Sequence, residues 1–380
     1  MSNVQYAHLS DEQRDLLAGA ERAGRALAPV AAAGEPGRIN RKLLAELAGH
    51  GLFDRLFGQP GRLGALDLCL MREGLARYCT EAETALAVQG LGTYPIMRAG
   101  TVEIVDEWLP RLSSGTAAAG LALTEPNAGS DAGSLELSAV RDGDAYRLTG
   151  EKVYISNAPD ADIYSVFART GGGPRAKGIT AFAVPRDSAG LSGEPLELVS
   201  EHPIGRLVFD RVTVPATHVL GKVDGGWDVA MRTFDLFRPS VGAFSVGMAQ
   251  AALDAAVAYA SGREQFGRPL REFQGVTHQL ADVATRLQAA RMLVHGAASA
   301  YDSGADDVSH LSAMAKLYAT ETAQTAVDVA IQVCGARALE RGHVLEHLYR
   351  EVRAPRIYEG TSEIQREIIA RHLFRDAKPG

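Results

Sequence analysis

The spacing of hydrophobic and polar positions divides the chain into three regions. Residues 1–120 have the periodicity of amphipathic helices, and the stretch SDEQRDLLAGAERAGRAL shows it most clearly. Its apolar positions recur one helical turn apart, at Leu16, Ala20, Ala23 and Leu27. Ser10, with Gln13 three residues later, has the spacing of a capping box and predicts where this helix begins. The Gly/Pro cluster GQPGRLG at 58–64 predicts a turn.

The pattern changes at residues 121–225. Here AYRLTGEKVYIS, DIYSVFART, GITAFAVP and LVFDRVTVP are short, rich in β-branched and aromatic residues, and separated by turn residues. At least four strands at such short intervals predict a small antiparallel sheet.

Helical periodicity returns from residue 226 and continues to the end of the chain. The stretch 240–260, SVGAFSVGMAQAALDAAVAYA, is small and apolar on nearly all sides, as in a helix buried in a bundle. Pro239 precedes this stretch and predicts a kink or a turn. The three regions together predict an α+β protein with helical domains on either side of a β-domain.

Composition and charge are ordinary for a soluble globular protein, with 46% apolar and 22% charged residues. The formal net charge of −7 argues against a nucleic-acid partner or an anionic-membrane surface. No apolar run reaches membrane-spanning length, and MSNVQYAHLSDEQ lacks the pattern of a signal or transit peptide. We therefore expect a cytoplasmic protein, where the thiols Cys69, Cys79 and Cys334 stay reduced.

One histidine pair has the spacing of a metal motif. His343 and His347 flank Glu346 in HVLEH, which matches the short H-x-x-E-H pattern of some zinc peptidases. Three fixed positions arise easily by chance, and the sequence offers no further convincing ligand. We therefore favour one polar face of a helix and expect no metal.

Two stretches in the β region carry groups that suit a ligand. LALTEPNAGSD, Leu121 to Asp131, combines hydroxyls and turn residues, so it could cradle a phosphate or a polar ring, or form a plain turn. GEKVYISN, Gly150 to Asn157, places Tyr154 and Ser156 on the same side of a strand. An ordinary sheet face is the alternative interpretation of the second stretch.

Two further stretches lie in the C-terminal region. SGREQFGRPLREFQ, Ser261 to Gln274, offers Arg263 and Phe266 to an anionic planar ligand, or forms a solvated helix end. RIYEGTSEIQ contains Glu359, which could act as a base if burial raised the pKa of its carboxyl group. On spacing alone, a solvated or salt-bridged surface carboxylate is the favoured interpretation.

Together, these stretches resemble the acyl-CoA dehydrogenase family. LTEPNAGSD, the run REQFGRPL at 263–270 and IYEGTSEIQ each match a family signature, in family order and at family spacing. The resemblance extends from the N-terminal helices to the end of the chain. It implies an N-terminal α-helical domain at 1–120, a middle antiparallel β-domain at 121–225 and a C-terminal four-helix bundle at 226–380, assembled as a homotetramer or dimer.

The resemblance also implies a non-covalent FAD and the residues that hold it. Thr124 would lie near the flavin ring, Ser130 near the pyrophosphate, and Tyr154 and Ser156 beside the isoalloxazine. Residues of the 263–274 stretch and of the 332–336 segment would reach the FAD of a neighbouring subunit. The full implied cofactor set is Leu121, Leu123, Thr124, Gly129, Ser130, Tyr154, Ser156, Arg263, Gln265, Phe266, Gln274, Gln332, Gly335, Thr361 and Glu363. The implied substrate contacts are Ser130, Asp235, Arg238 and Gly360.

In the implied reaction, Glu359 takes the α-proton of an acyl-CoA thioester while the β-hydrogen leaves as hydride to flavin N5. The product is a 2,3-enoyl thioester, and electrons pass to an electron-transfer flavoprotein or a similar acceptor. Some family members place the base on the first helix of the C-terminal bundle, where this chain has Phe237. Phe237 cannot take a proton. Asp235 and Arg238 match positions beside the thioester, and a simple i,i+3 ion pair is the alternative.

Four departures from the family pattern bear on the substrate. Tyr154 replaces the usual Trp, Ala336 stands at a usual glycine, and the stretches Ser200 to Asp210 and LFGQPGRLGALD are compact. The last two suggest a short or branched acyl group, or an acyl group presented on an acyl carrier protein. A flavin oxidase or monooxygenase and a DNA-associated flavoprotein are rival functions on this fold. The Glu in IYEGT and the lack of a basic C-terminal extension disfavour them.

Overall fold

The computed structural model describes residues 3–58, 63–173 and 175–375. The chain forms two compact units. The first comprises Met1–Arg25, Gly64–Glu83 and Asp235–Gly380, and the second comprises Ala26–Leu63 and Thr84–Phe234. Most of the predicted Gly/Pro turn at 58–64 falls on residues 59–62, outside the described part of the chain.

The N-terminal region is helical, as its periodicity predicts. Its helices are α1 (Asp11–Ala32), α2 (Arg41–Gly49), α3 (Leu52–Phe57), α4 (Ala65–Ala76), α5 (Thr80–Ala99) and α6 (Val102–Ser113). The capping box is confirmed, because the Ser10 amide donates to Oε1 of Gln13 at 2.9 Å and the Gln13 amide donates to Oγ of Ser10 at 3.2 Å. On the buried face of α1, Leu17 replaces the predicted Leu16, which is half-buried.

The middle region forms an eight-stranded sheet with the order β6-β7-β3-β2-β4-β5-β8, in which β1 also pairs with β4. Its strands are β1 (Ala119–Ala122), β2 (Ser138–Asp142), β3 (Ala145–Ser156), β4 (Ile163–Arg169), β5 (Ile179–Pro185), β6 (Leu191–Pro195), β7 (Ile204–Pro215) and β8 (Val219–Leu220). Most neighbours are antiparallel, but β1 and β2 both run parallel to β4. The sheet is therefore mixed, whereas the sequence predicted an antiparallel sheet. Strand direction depends on pairing between distant segments rather than on local pattern.

The core of the second unit lies where α5 and α6 pack on this sheet. Ile96 and Trp108 from the helices join Phe167 and Ile179 from the strands in one buried cluster. Gly92 allows the closest approach, because a Cβ there would lie 2.6 Å from the backbone nitrogen of Gly120. This contact sets β1, and with it the loop that follows, at a fixed depth against the helices.

The C-terminal region is again helical. It contains α7 (Gly226–Gly262), the short hairpin strands β9 (Glu264–Gln265) and β10 (Arg268–Pro269), α8 (Gln274–Asp302), α9 (Ser309–Cys334), α10 (Val344–Glu351) and α11 (Ser362–Phe374). In the first unit, α9 packs against α8, α10 and α11. Pro239 lies inside α7, so of the two predicted alternatives, a kink or a turn, the turn is wrong. The buried apolar residues that follow it keep the segment helical despite the missing N–H.

By length and composition, α7 is apolar enough to cross a membrane, contrary to the expectation from the sequence. However, 78% of its most apolar window is buried within the protein. The helix therefore has the burial of a core helix.

Candidate active site

Glu359 lies in the short segment between α10 and α11, in the first unit. Its φ is +51° and that of Gly360 is +88°, so two consecutive residues adopt the left-handed region. This conformation is unfavourable for a side chain larger than glycine and persists only where the surroundings impose it. Thr361 then caps α11, because its Oγ1 accepts from the Ile364 amide at 3.3 Å.

The carboxyl group of Glu359 lies among protein atoms. The side chain is half-buried, but Oε2 has no exposed surface and no hydrogen-bond partner among the described residues. Burial raises the pKa of Glu359 above its ordinary value. The positive charges of Arg72, Lys316 and Arg238 offset part of this effect. A carboxylate with a raised pKa and an unbonded oxygen has the properties of a general base.

Arg238 and Asp235, both in the N-terminal half of α7, form an i,i+3 ion pair at 3.4 Å, which was the alternative to a substrate contact. Burial raises the pKa of Asp235, and Arg238 lowers it in part. Nε of Arg238 is buried and has no hydrogen-bond partner among the described residues. Arg238 therefore serves the ion pair and also contributes charge near Glu359. Phe237, at the alternative base position, is fully buried.

Arg72 is one of the cations around Glu359, and the sequence analysis did not identify it. It lies on α4, is 2% exposed, and forms an ion pair with the buried Glu83. Its NH1 also donates to Oγ of Ser240 at 2.7 Å. These bonds fix a cation near the carboxyl group of Glu359.

Lys316 and Gln365 are two further members that the sequence analysis missed. Nζ of Lys316 donates to the carbonyl oxygen of Tyr358 at 2.8 Å and to that of Gly360. Nε2 of Gln365 donates to the same Gly360 carbonyl at 2.9 Å. Charged residues within an apolar helical run, as in LMREG and AMAKLY, are the signal that could have identified Arg72 and Lys316.

The second unit contains the loop that follows β1. Glu125 is buried and accepts from the amides of Glu136 at 2.6 Å and Leu137 at 2.9 Å. Nζ of Lys152, also buried, donates to Oε1 of Glu125 at 2.8 Å and to the Leu123 carbonyl at 2.8 Å. Both residues lie in stretches that the sequence analysis selected, although neither was assigned a role there. The ion pair fastens the loop to β3.

The same loop contains Thr124 and Ser130, two of the residues predicted to bind the cofactor. The Val153 amide donates to the Thr124 carbonyl at 3.0 Å, which brings the loop beside Tyr154 on β3. The Tyr154 ring is 58% exposed, and the backbone there has a φ of +57°. Ser130 is exposed, and among the described residues neither the Thr124 nor the Ser130 hydroxyl has a hydrogen-bond partner. An accessible ring, with a hydroxyl-bearing loop bonded to its strand, fits a planar polar cofactor such as a flavin.

The remaining predicted cofactor residues lie on separate elements of the first unit. Arg263, Gln265 and Phe266 form the exposed hairpin at the end of α7, where Phe266 is 93% exposed. Gln274 begins α8. The last predicted positions of this group lie at the end of α9 and at the start of α11: Gln332, Gly335, Thr361 and Glu363. Their roles toward FAD stay predictions.

The H-x-x-E-H residues have structural partners. His343 caps α10 by accepting from the Leu345 amide at 3.2 Å, and Nε2 of His347 lies 2.6 Å from Oγ1 of Thr80. Glu346 pairs with Arg350 at 2.9 Å. These contacts favour the interpretation of the motif as one polar face of a helix.

Comparison with known proteins identifies the class to which this fold and these residues belong. Residues 10–116, 120–212 and 224–374 match the N-terminal, middle and C-terminal domains of acyl-CoA dehydrogenase. The chain therefore belongs to the acyl-CoA dehydrogenase family, whose members are FAD-dependent oxidoreductases that act on CH–CH bonds.

Individual relatives agree with this assignment. The chain is 34% identical over 369 residues to cyclohexane-1-carbonyl-CoA dehydrogenase of Geobacter metallireducens, covering 95% of each chain. The structure of butyryl-CoA dehydrogenase from Megasphaera elsdenii has a TM-score of 0.90 at 33% identity and covers 97% of this chain and 99% of its own. An FAD complex of PigA has a TM-score of 0.90 at 29% identity, with 96% and 98% coverage. FAD is therefore the cofactor of this chain.

Proposed function

We propose that this enzyme dehydrogenates a short or branched acyl-CoA between its α- and β-carbons, with Glu359 as the base. The observation that carries the proposal is the Glu359 carboxyl group, with its raised pKa and an Oε2 that has no hydrogen-bond partner among the described residues. The thioester carbonyl acidifies the α-hydrogen when a donor stabilises the developing enolate. The backbone amide of Glu359 is the donor that this chain would supply.

The residues of the chain move one proton in this reaction. Glu359 takes the α-proton onto its carboxylate, and the electron pair of the broken α C–H bond forms the new carbon–carbon double bond. When bound, FAD supplies the acceptor for the hydride that leaves the β-carbon. The thioester thus loses two electrons and two hydrogens, and the product is the 2,3-enoyl thioester.

The cations around Glu359 set its working range. Burial alone would keep the carboxyl group protonated and unable to accept a proton at neutral pH. Arg72, Lys316 and Arg238 stabilise the ionised form of the carboxyl group. Although its pKa is raised, Glu359 can therefore still ionise and accept a proton. An intermediate pKa of this kind favours proton transfer in both directions.

The exposed groups of the second unit support a role in holding FAD. We propose that Thr124 and Ser130 donate to the cofactor, and that the Tyr154 ring lies against the isoalloxazine with Ser156 beside it. Exposed Arg263, Gln265 and Phe266 would reach the cofactor of another subunit in a homotetramer or dimer, together with Gln274 and the 332–336 segment. An electron-transfer flavoprotein or similar protein is the proposed acceptor. The three cysteines, buried and free, are compatible with the proposed cytoplasmic location.

The substrate class is proposed from relatives and from two departures in the sequence. The relatives named above act on cyclohexane-1-carbonyl-CoA and butyryl-CoA, which favours a short or branched acyl-CoA here. The compact stretch Ser200 to Asp210 motivates the alternative that the acyl group arrives on an acyl carrier protein. The Glu in IYEGT favours dehydrogenation over flavin oxidase or monooxygenase chemistry.

The test is anaerobic mixing of the FAD-loaded enzyme with matched acyl-CoAs and acyl carrier proteins, followed by flavin absorbance. We expect bleaching by a short or branched acyl-CoA and a rate at least about 100-fold lower in Glu359→Gln, because a positioned base contributes about 10²–10⁴-fold. Bleaching only by carrier-bound acyl groups would favour the alternative substrate. Normal bleaching in Glu359→Gln would remove Glu359 as the base, and no bleaching by any thioester would leave only the family assignment standing.

A further inference from the structure

We propose that Lys316 is a positioning residue for the catalytic base. Its ammonium group holds the two carbonyl groups that flank Glu359 and supplies a positive charge that keeps the Glu359 carboxyl group ionised. The inference rests on the proposed role of Glu359. It adds a residue from α9 to the site. It also makes the reaction depend on the ionisation of the Lys316 ammonium group as well as on that of Glu359.

Two hydrogen bonds join Lys316 to the backbone on either side of Glu359, and we call this pair of bonds the clamp. Nζ of Lys316 donates to the carbonyl of Tyr358 at 2.8 Å and to the carbonyl of Gly360, one residue before and one residue after Glu359. Glu359 and Gly360 both have positive φ, so this segment needs external bonds to keep its shape. One donor that spans both carbonyls fixes the backbone from which the base projects.

The surroundings of Lys316 argue against a role confined to packing. The residue is 1% exposed, and within the described part of the chain its ammonium group donates to carbonyl oxygens. A buried ammonium group costs free energy unless it is paired, and an apolar side chain would fill the same volume without this cost. The negative charge that acts on it is that of Glu359. The interactions that offset the cost of burying the ammonium group are therefore those with Glu359 and its flanking backbone.

Two other buried charges complete the environment of Lys316 and Glu359. Arg238 repels Lys316, and Arg72 lies close enough to lower the pKa of Glu359. Beyond them, Glu83 and Glu351 act on the phenol of Tyr358. Lys316 is thus one of three cations that act on the carboxyl group, and it is the one bonded to the backbone on both sides of it.

This arrangement makes the reaction depend on pH through two groups. Burial lowers the pKa of Lys316 from 10.5 to about 8, with Glu359 opposing the shift and Arg238 adding to it. The ammonium group is therefore charged below pH 8 and loses its charge above it. The base is ionised above its own pKa. The active form carries both charges, so the rate of flavin reduction should fall in acid as Glu359 protonates and in alkali as Lys316 deprotonates.

Two substitutions separate these effects. Lys316→Met removes the charge and both hydrogen bonds, so we expect flavin reduction about 10–100-fold slower. The acid limb of the pH–rate profile, where Glu359 protonates, should move to higher pH. The alkaline limb near pH 8, where Lys316 deprotonates, should be absent. Lys316→Arg keeps the charge through the alkaline range, so we expect the acid limb to stay in place and the limb near pH 8 to disappear. The wild-type enzyme should show both limbs.

A control and a second readout distinguish positioning from loss of structure. Ser312→Ala changes a residue one turn earlier on α9 that is equally buried, and whose Oγ has no partner among the described residues. It should leave both limbs unchanged. FAD content and urea unfolding monitor the fold of each variant. The ionisation of Glu359 itself is followed by infrared spectroscopy of ¹³C-Glu-labelled protein, with Glu359→Gln as the subtraction. Lys316→Met should raise the pKa found in this way.

The outcomes are distinct. If the folded, FAD-loaded Lys316→Met enzyme keeps both wild-type limbs and the wild-type infrared pKa of Glu359, the positioning role is overturned, while the base assignment survives. If Lys316→Met does not fold, Lys316→Arg decides, because an unchanged limb near pH 8 contradicts the proposal. If Glu359→Gln reduces flavin at the wild-type rate, the proposed function fails first, and the inference fails with it.

Discussion

At the scale of single residues, two glutamates in the first unit, both with buried carboxyl oxygens, have pKa shifts of opposite sign. Burial raises the pKa of Glu359, three nearby cations offset only part of this shift, and its Oε2 has no hydrogen-bond partner among the described residues. Glu73 on α4 is also buried, but it accepts from Nε of Arg291 at 2.8 Å and lies 3.0 Å from Nε2 of His295. Although burial opposes it, these partners lower the pKa of Glu73 to about 2. Partners, rather than burial alone, decide whether the pKa of a carboxyl group with buried oxygens is raised or lowered.

The lowered pKa of Glu73 predicts an acid-sensitive contribution to stability. The folded-state pKa of about 2 lies below the unfolded value near 4.5, so the contribution is complete above pH 4.5 and is lost as the pH falls toward 2. Because one pKa unit corresponds to about 1.4 kcal/mol, roughly 3 kcal/mol is involved. Urea unfolding of wild type and Glu73→Gln across this range tests it. The variant should lack this part of the acid dependence, and identical pH curves for the two proteins would contradict the prediction.

At the scale of elements, the loop after β1 is held by a buried ion pair rather than by regular secondary structure. Glu125 and Lys152 join the loop to β3, while Gly92 brings α5 against the strand that leads into it. The exposed Tyr154 follows Lys152 by two residues on β3. A loop anchored in this way can present hydroxyls and backbone groups to a cofactor without refolding.

Breaking this ion pair should loosen the loop. Lys152→Met leaves Glu125 buried without its cation, and the loss of one partner of a buried pair typically costs about 3–5 kcal/mol. We expect that loss in urea unfolding and weaker FAD retention on dilution. The double variant Lys152→Met/Glu125→Gln should recover part of the stability, since no uncompensated charge remains. Equal stability of wild type and Lys152→Met would show that the pair does not fasten the loop.

At the scale of the whole molecule, the first unit has large apolar side chains that the described residues leave exposed. Phe266 is 93% exposed on the β9–β10 hairpin, and Leu373 and Phe374 at the end of α11 are 65% and 72% exposed. Exposed aromatic and aliphatic side chains of this size are typical of surfaces that another protein covers. A second copy of this chain is the partner that we propose.

This proposal predicts a link between assembly and cofactor retention. Light scattering should show a homotetramer or a dimer, and Phe266→Ala should weaken FAD retention by about 10-fold, the effect typical of an aromatic anchor. Val102→Ala, which truncates a side chain 71% exposed on α6, is the matched control and should leave retention unchanged. A monomer that retains FAD fully would exclude a cofactor site shared between subunits.

Much of this organisation follows from local pattern in the sequence. The order of helices, strands and helices, the capping box of Ser10 and Gln13, and the position of Glu359 ahead of a helix were all predictable. Periodicity, turn residues and caps are properties of neighbouring residues, and short signatures carry the family resemblance. The family match then confirms the fold class and the FAD dependence.

Long-range packing decided the rest. The sequence does not show that β1 and β2 run parallel to β4, or that α7 continues through Pro239. Arg72 and Lys316 come from helices that lie far from Glu359 along the chain. Burial, and therefore the pKa of Glu359, depends on atoms that only tertiary folding brings together. The sequence by itself determined which residue could be the base, and the tertiary structure decided which charges and bonds surround it.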